Sequence, residues 1–158
     1  MLNVGDKVFV PNYGAGYIDK IETREINGVK ISYINISILT DGIYLFIPIG
    51  KLQDYNIRYI SDKTLMENAL SIIKEEPLFI EKKWSLRYRK NNEKISSGDV
   101  VKLCEVVRDL FYLKREKIMP PGEKKILEKA IDMLKGEVSL VFDINLEAAE
   151  AKLSIYNE

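Results

Sequence analysis

The chain reads as an α+β protein of two modules, a small β-barrel followed by an all-α helical bundle. Three observations predict this. Apolar residues alternate with a period of two up to about residue 53. From Ser61 onward the period changes toward 3.6. Asn-Gly and Asp-Gly pairs punctuate the first part, whereas proline and glycine breaks punctuate the second. At 158 residues the chain buries a real core only if its elements pack compactly.

Val4, Val8 and Val10 alternate around Gly5-Asp6-Lys7, and Pro11-Asn12-Tyr13-Gly14-Ala15-Gly16 supplies a turn before Tyr17-Ile18-Asp19-Lys20-Ile21. The segment Ile21 to Gly28 alternates apolar and polar residues and leads into a hairpin at Asn27-Gly28. On a small barrel such a strand can be an edge, open to a partner's strand. Lys30 to Ile36 follows, then Ile43 to Pro48 after Asp41-Gly42. Short strands divided in this way predict a meander of hairpins. So few residues cover both faces best by curling into a barrel of SH3 or Tudor type. The expected division is a barrel over 1–53, a linker over 54–61 and a helical module over 62–158.

Leu65, Met66, Ala69, Leu70 and Ile73 form one helical face, with Ser61 or Asp62 as N-cap. Glu76-Pro77 ends that helix, because the residue before proline avoids the α region. A short helix around Trp84 to Asn92 comes next. Ser96-Ser97-Gly98-Asp99 then caps a strongly amphipathic helix carrying Val100, Leu103, Cys104, Val107, Leu110 and Phe111 at i, i+3, i+4, i+7 spacing. Met119-Pro120-Pro121-Gly122 breaks it and suits a new start, followed by the stripe Ile126, Leu127, Ala130, Ile131, Leu134 and Val138. Asn145 caps a last helix, Leu146 to Ile155.

Composition narrows the chemistry. With 46% apolar and 30% charged residues the chain fits a soluble globular protein. No apolar run approaches the roughly 20 residues needed to cross a membrane, and the N-terminus lacks a secretory pattern. A cytoplasmic location is expected. There is no histidine, the commonest metal ligand and general base. The one cysteine, Cys104, lies on an apolar helical face and reads as a small buried hydrophobe. Gly5, Gly14, Gly16 and Gly28 match no phosphate-binding loop. No metal, cofactor or enzymatic activity is expected.

The net charge of zero conceals an uneven distribution. Residues 1–60 are balanced, 61–80 sum to −2, 81–135 to +6 and 136–158 to −4. The only tryptophan, Trp84, opens the basic segment in Lys82-Lys83-Trp84-Ser85-Leu86-Arg87-Tyr88-Arg89-Lys90. An exposed ring there can stack on or wedge between bases while neighbouring cations hold phosphates; a buried one is a core aromatic with charged neighbours. Arg87, Arg89, Lys90, Lys94, Lys124 and Lys125 are the candidates for phosphate contact. Three or four such contacts imply a salt slope of only about −3 to −4. A surface of that kind binds DNA weakly and without sequence preference.

Several blocks carry a family resemblance. Gly5-Asp6-Lys7-Val8-Phe9-Val10-Pro11-Asn12-Tyr13-Gly14-Ala15-Gly16, Ile21-Glu22-Thr23-Arg24, Trp84-Ser85-Leu86-Arg87-Tyr88-Arg89, Ser97-Gly98-Asp99-Val100, Glu105-Val106-Val107-Arg108-Asp109-Leu110 and Gly122-Glu123-Lys124-Lys125 stand in one order along nearly the whole chain. Together they resemble the CarD/CdnL-type bacterial transcription regulators. The resemblance implies that the Tudor-like barrel, shared with transcription-repair coupling factors, binds the β subunit of RNA polymerase, partly by strand pairing. It implies that the helical module reaches promoter DNA at the upstream edge of the bubble. The family's wedging tryptophan falls on Trp84, acting in the minor groove without sequence specificity. The polymerase-contacting arginine falls on Arg24, with Glu25 and Ile26 beside it.

Three departures qualify the match. Phe46 stands where a second polymerase-contacting arginine is expected, Leu86 where a basic residue is common, and Pro120 where a serine N-cap is usual. With Leu86 uncharged, the resemblance shifts the phosphate contacts to Arg87, Arg89 and Lys124. The implied protein is a monomeric, non-enzymatic regulator, cytoplasmic and nucleoid-associated through polymerase. The alternative is a protein–protein adaptor that never touches DNA, with Trp84 as a core or interface anchor.

Overall fold

The computed structural model describes residues 2–157; Met1 and Glu158, the outer ends of the two expected modules, lie outside the described residues. Five antiparallel strands form one sheet: β1 (Lys7–Val10), β2 (Gly14–Ile26), β3 (Val29–Ile38), β4 (Tyr44–Pro48) and β5 (Arg58–Tyr59), in the order β4-β3-β2-β1-β5. The β2–β3 hairpin turns at Asn27 and Gly28, both with positive φ (53° and 81°), as a tight two-residue turn requires. A bulge between Ile18 and Lys20 in β2 bends the sheet around its own core of Val8, Val10, Ile18, Ile34, Ile36, Ile38 and Ile47.

The stretch expected as a linker, 54–61, carries a strand. Arg58 and Tyr59 are a strand, pairing with Phe9 and Val8 of β1. A two-residue strand is too short to show a period, and its pairing exists only once β1 lies beside it. The chain reaches it through a 3-10 turn (Ile49–Lys51) and a single-turn helix, α1 (Leu52–Tyr55).

Five longer helices follow: α2 (Lys63–Ile73), α3 (Trp84–Ser96), α4 (Val100–Arg115), α5 (Pro121–Phe142) and α6 (Leu146–Ser154). Local chemistry sets their starts. Asp62, Asp99 and Asn145 each accept a backbone N–H from the first turn of α2, α4 and α6, from Leu65, Val101 and Ala148 at 2.7–2.8 Å. Pro120 stands at the N-cap of α5 with Pro121 as its first residue, where proline's missing N–H costs nothing. The expected short helix at Trp84 runs one turn further, to Ser96, because Ile95 reaches the core there. The predicted stripes of α4 and α5 are buried apart from partly buried Ile131, and Leu65 of the α2 stripe is exposed instead.

The sheet and the bundle share an interface. Along β1, Val8 and Val10 point into the sheet's own core while Phe9, between them, belongs to the helical core with Ala15. Helix α5 crosses β2 at Gly136, where a Cβ atom would lie 3.4 Å from Thr40 Cγ2 and 3.7 Å from Ala15 Cβ. No helix among the described residues is long and apolar enough to cross a membrane.

Candidate functional site

Trp84 is the first residue of α3 and shares a helical stripe with Arg87, Asn91 and Ile95 at i+3, i+7 and i+11. That stripe is the inner face, with Asn91 and Ile95 buried. As the first residue, Trp84 has no preceding turn to press it against the bundle, and it is 65% exposed. Of the two readings open at the sequence level, the exposed ring is the one observed.

Arg87 does not serve as a free cation. Its Nε and Nη2 donate to Glu123 Oε1 and Oε2 at 2.5 and 2.7 Å, and Nη1 donates to the Glu81 carbonyl at 2.8 Å. Both side chains are withdrawn from solvent, at 11% and 3% exposure. The Glu123 carboxylate raises the Arg87 pKa further, outweighing burial, which lowers it. Arg87, expected as a phosphate contact, is here a guanidinium held in a forked pair inside the bundle. Sequence reasoning counts charges along the chain and has no view of Glu123 arriving from another helix.

This ion pair draws the start of α5 to the start of α3. Tyr88 lies against it, its ring 3.8 Å from where a Cβ on Gly122 would stand. Lys124 and Lys125, in the first turn of α5, are exposed beside α3. Unlike α2, α4 and α6, neither α3 nor α5 receives a side-chain cap. Two helix N-termini, each with a partial positive charge, are thus brought together by the Arg87–Glu123 pair. Arg89 and Lys90 are exposed on α3, Arg89 only loosely drawn to Glu93 at 3.9 Å. Lys94 leans on Glu105 at 3.4 Å. Leu86, half-buried, lines a shallow depression with Lys83, Ser85 and Arg89.

A second surface lies on the sheet. β1 pairs only with residues 14–17 of β2, so the outer half of β2, from Lys20 to Ile26, pairs with β3 alone among the described residues. Arg24, Glu25 and Ile26 are exposed on this open edge. Phe46, 51% exposed on edge strand β4, pairs with Asn35 on β3. Arg24 reaches across β3 to lie 5.9 Å from the Phe46 ring centroid while Nη2 donates to Glu22 at 2.8 Å. The structure therefore brings Arg24 and Phe46 together. The Phe46 ring offers a platform for the Arg24 guanidinium.

Other features escaped the sequence reading. Leu78 and Phe79, just before α3, are 103% and 71% exposed; the apolar run after Glu76-Pro77 was their only signal. Arg58 and Glu137, 79 residues apart, form a part-buried pair between the modules and carry no sequence signal at all. Cys104 is buried as expected, and its thiol is pushed up chiefly by that burial.

Comparison with known proteins agrees with this layout. Residues 2–61 match the family described as CarD-like/TRCF RID domain, and residues 68–154 match CarD, C-terminal domain. The first match ends at the residue after Ile60, so it takes in β5 with the rest of the sheet. A Bacillus subtilis (strain 168) protein named "Putative transcription factor YdeB" is 32% identical over 141 residues, 89% of this chain and 92% of that protein. With a Tudor-like sheet module, a helical module and matches spanning both, the chain belongs to the CarD/CdnL-type family of bacterial transcription regulators.

Proposed function

We propose that the protein binds the β subunit of RNA polymerase through the sheet module and steadies the open promoter complex with Trp84. On the sheet side the open edge of β2 is suited to strand addition, with Arg24, Glu25, Ile26 and Phe46 in the contact. On the helical side Trp84 enters the minor groove at the upstream edge of the bubble, flanked by Arg89, Lys90, Lys124 and Lys125. The observation that carries this reading is a 65% exposed tryptophan at the meeting point of two uncapped helix starts. Arg87 positions that ring by tying α3 to α5.

Such a surface has little affinity for DNA by itself. Tethering to polymerase raises its effective concentration at the promoter to roughly millimolar. An aromatic contact of about 1–3 kcal/mol then shifts an opening equilibrium by roughly five- to a hundredfold. The protein acts as a monomer, and no catalytic step is involved.

The test is open-complex lifetime with wild type and Trp84→Ala. The lifetime shortens at least about fivefold in the variant; equal lifetimes, with polymerase binding intact, defeat the wedge. Arg24→Glu separately abolishes polymerase binding and leaves affinity for free DNA unchanged. The exposed Leu78 and Phe79 favour a second reading, a protein–protein adaptor. In that case Trp84 fluorescence does not respond to fork-junction DNA.

A further inference from the structure

Between α3, α4 and the segment leading into α3 lies a cavity of about 300 Å³, lined among others by Phe79, Lys90, Asn91, Lys94, Arg108 and Asp109. Its polar groups are unevenly spent. Asn91 is 5% exposed, and its Nδ2 has no hydrogen-bond partner among the described residues. A buried donor without an acceptor is costly and rare. Lys90, the preceding residue, enters none of the ion pairs among the described residues. Arg108 uses only Nε, which donates to Asp109 Oδ1 at 2.8 Å.

The two carboxylates of the same cavity each meet a donor on one oxygen, and Arg87, Lys90, Lys94 and Arg108 outnumber them in its lining. Asp109 is paired with Arg108, and Glu81 accepts the Lys83 backbone N–H on Oε1 and Arg87 Nη1 on its carbonyl. The site therefore offers donors from two helices, an ammonium, a carboxamide and a guanidinium edge, in a net cationic lining that suits a ligand supplying acceptors. An oxyanion has that character, and a phosphate group offers several oxygens to donors from different directions. The volume is at the lower end for ligand sites, enough for a small group and its water.

We propose that this cavity is a phosphate-binding site, with Asn91 Nδ2 as the buried donor and Lys90 and Arg108 supplying the charge. Two sources share that chemistry: a phosphate-bearing small molecule, or a DNA backbone phosphate. The second rests on the function proposed above, since Asn91 is two helical turns from Trp84, about 10 Å along the axis. The first does not.

The experiment titrates full-length protein with inorganic phosphate at constant ionic strength, with neither DNA nor polymerase, following side-chain amide resonances by NMR. The Asn91 carboxamide shifts saturably with phosphate and not with chloride. In Asn91→Leu, which removes the orphan donor and keeps an apolar fit, phosphate binding weakens at least tenfold while the melting temperature is maintained. Arg108→Gln is the second variant and weakens binding similarly. Absence of a saturable shift, or unchanged phosphate binding in both variants, overturns the proposal. Fork-junction DNA separates the sources. A salt slope reduced by about one in Asn91→Leu assigns the site to a backbone phosphate, and an unchanged slope with lost phosphate binding assigns it to a small molecule. Because the titration contains no DNA, its failure is distinct from failure of the Trp84 wedge.

Discussion

Arg58 and Glu137 meet across the boundary between the sheet and the bundle as a two-point ion pair, Nη1 to Oε2 at 2.8 Å and Nη2 to Oε1 at 2.9 Å. Glu137 is fully buried, and its Oε2 also accepts the backbone N–H and the hydroxyl of Ser61, each at 2.8 Å. Arg58 Nε donates to the Gly98 carbonyl at 2.6 Å, and its guanidinium lies 4.3 Å from the Phe9 ring centroid. One pair thereby joins β5, the entry to α2, the α3–α4 turn and α5. It holds the open edge of β2 and Trp84 in one frame, as the proposed tether and wedge require.

Removing one partner exposes the cost of the other. Arg58→Met leaves a buried carboxylate uncompensated and lowers the unfolding free energy by about 3 kcal/mol, the low end for a buried pair because Arg58 keeps 28% exposure. The double variant with Glu137→Leu recovers a large part of that loss. Urea denaturation of the two singles and the double checks this, and additive losses contradict it.

Arg87 and Lys124 should separate cleanly. Arg87→Ala strands Glu123, which is 2% exposed, and costs about 3–5 kcal/mol of stability. Lys124→Ala leaves the melting temperature unchanged and reduces the salt slope of DNA binding by about one. Thermal melts beside salt titrations decide whether each residue has the role assigned to it.

Trp84→Ala removes an exposed ring and changes stability by no more than about 0.5 kcal/mol. Iodide quenches the wild-type fluorescence nearly as well as that of a free tryptophan derivative. Weak quenching places the ring inside a contact.

Gly16 has no room for a side chain, since a Cβ there would lie 2.0 Å from the Ser37 carbonyl oxygen across the β2–β3 ladder. Gly16→Ala costs at least about 3 kcal/mol, because backbone cannot rotate away as a side chain can. Far-UV circular dichroism melts measure the loss.

The buried thiol of Cys104 links stability to alkaline pH. Its folded pKa is raised above the unfolded value, with burial the first cause and Glu137 the next. Its contribution is complete below the unfolded pKa of about 8.5 and falls as pH rises, by about 1.4 kcal/mol per unit. Wild type loses stability more steeply than Cys104→Ala above that pH, and a thiol reagent labels the folded protein only as fast as it unfolds.

The helices were legible because their signals are local. Asp62, Asp99 and Asn145 cap from within one turn, and the stripes of α4 and α5 repeat at the helical period. The same holds for the β2–β3 hairpin at Asn27-Gly28 and for burial of Cys104. β5 was not legible, since its pairing depends on β1 about fifty residues earlier. Among the basic residues, Arg89, Lys90, Lys124 and Lys125 are exposed as read, while Arg87, equally basic on paper, is not.

By itself, the sequence determined the strands up to β4 and the helices from α2 onward, where Trp84 begins its helix, and which family the blocks resemble, because periodicity, caps and turns act over a few residues. Only the tertiary structure decided what each charge does. Glu123 claims Arg87, Glu137 claims Arg58, and Phe46 takes Arg24 across a strand, because the energy of a charge depends on the partner and the burial that folding brings to it.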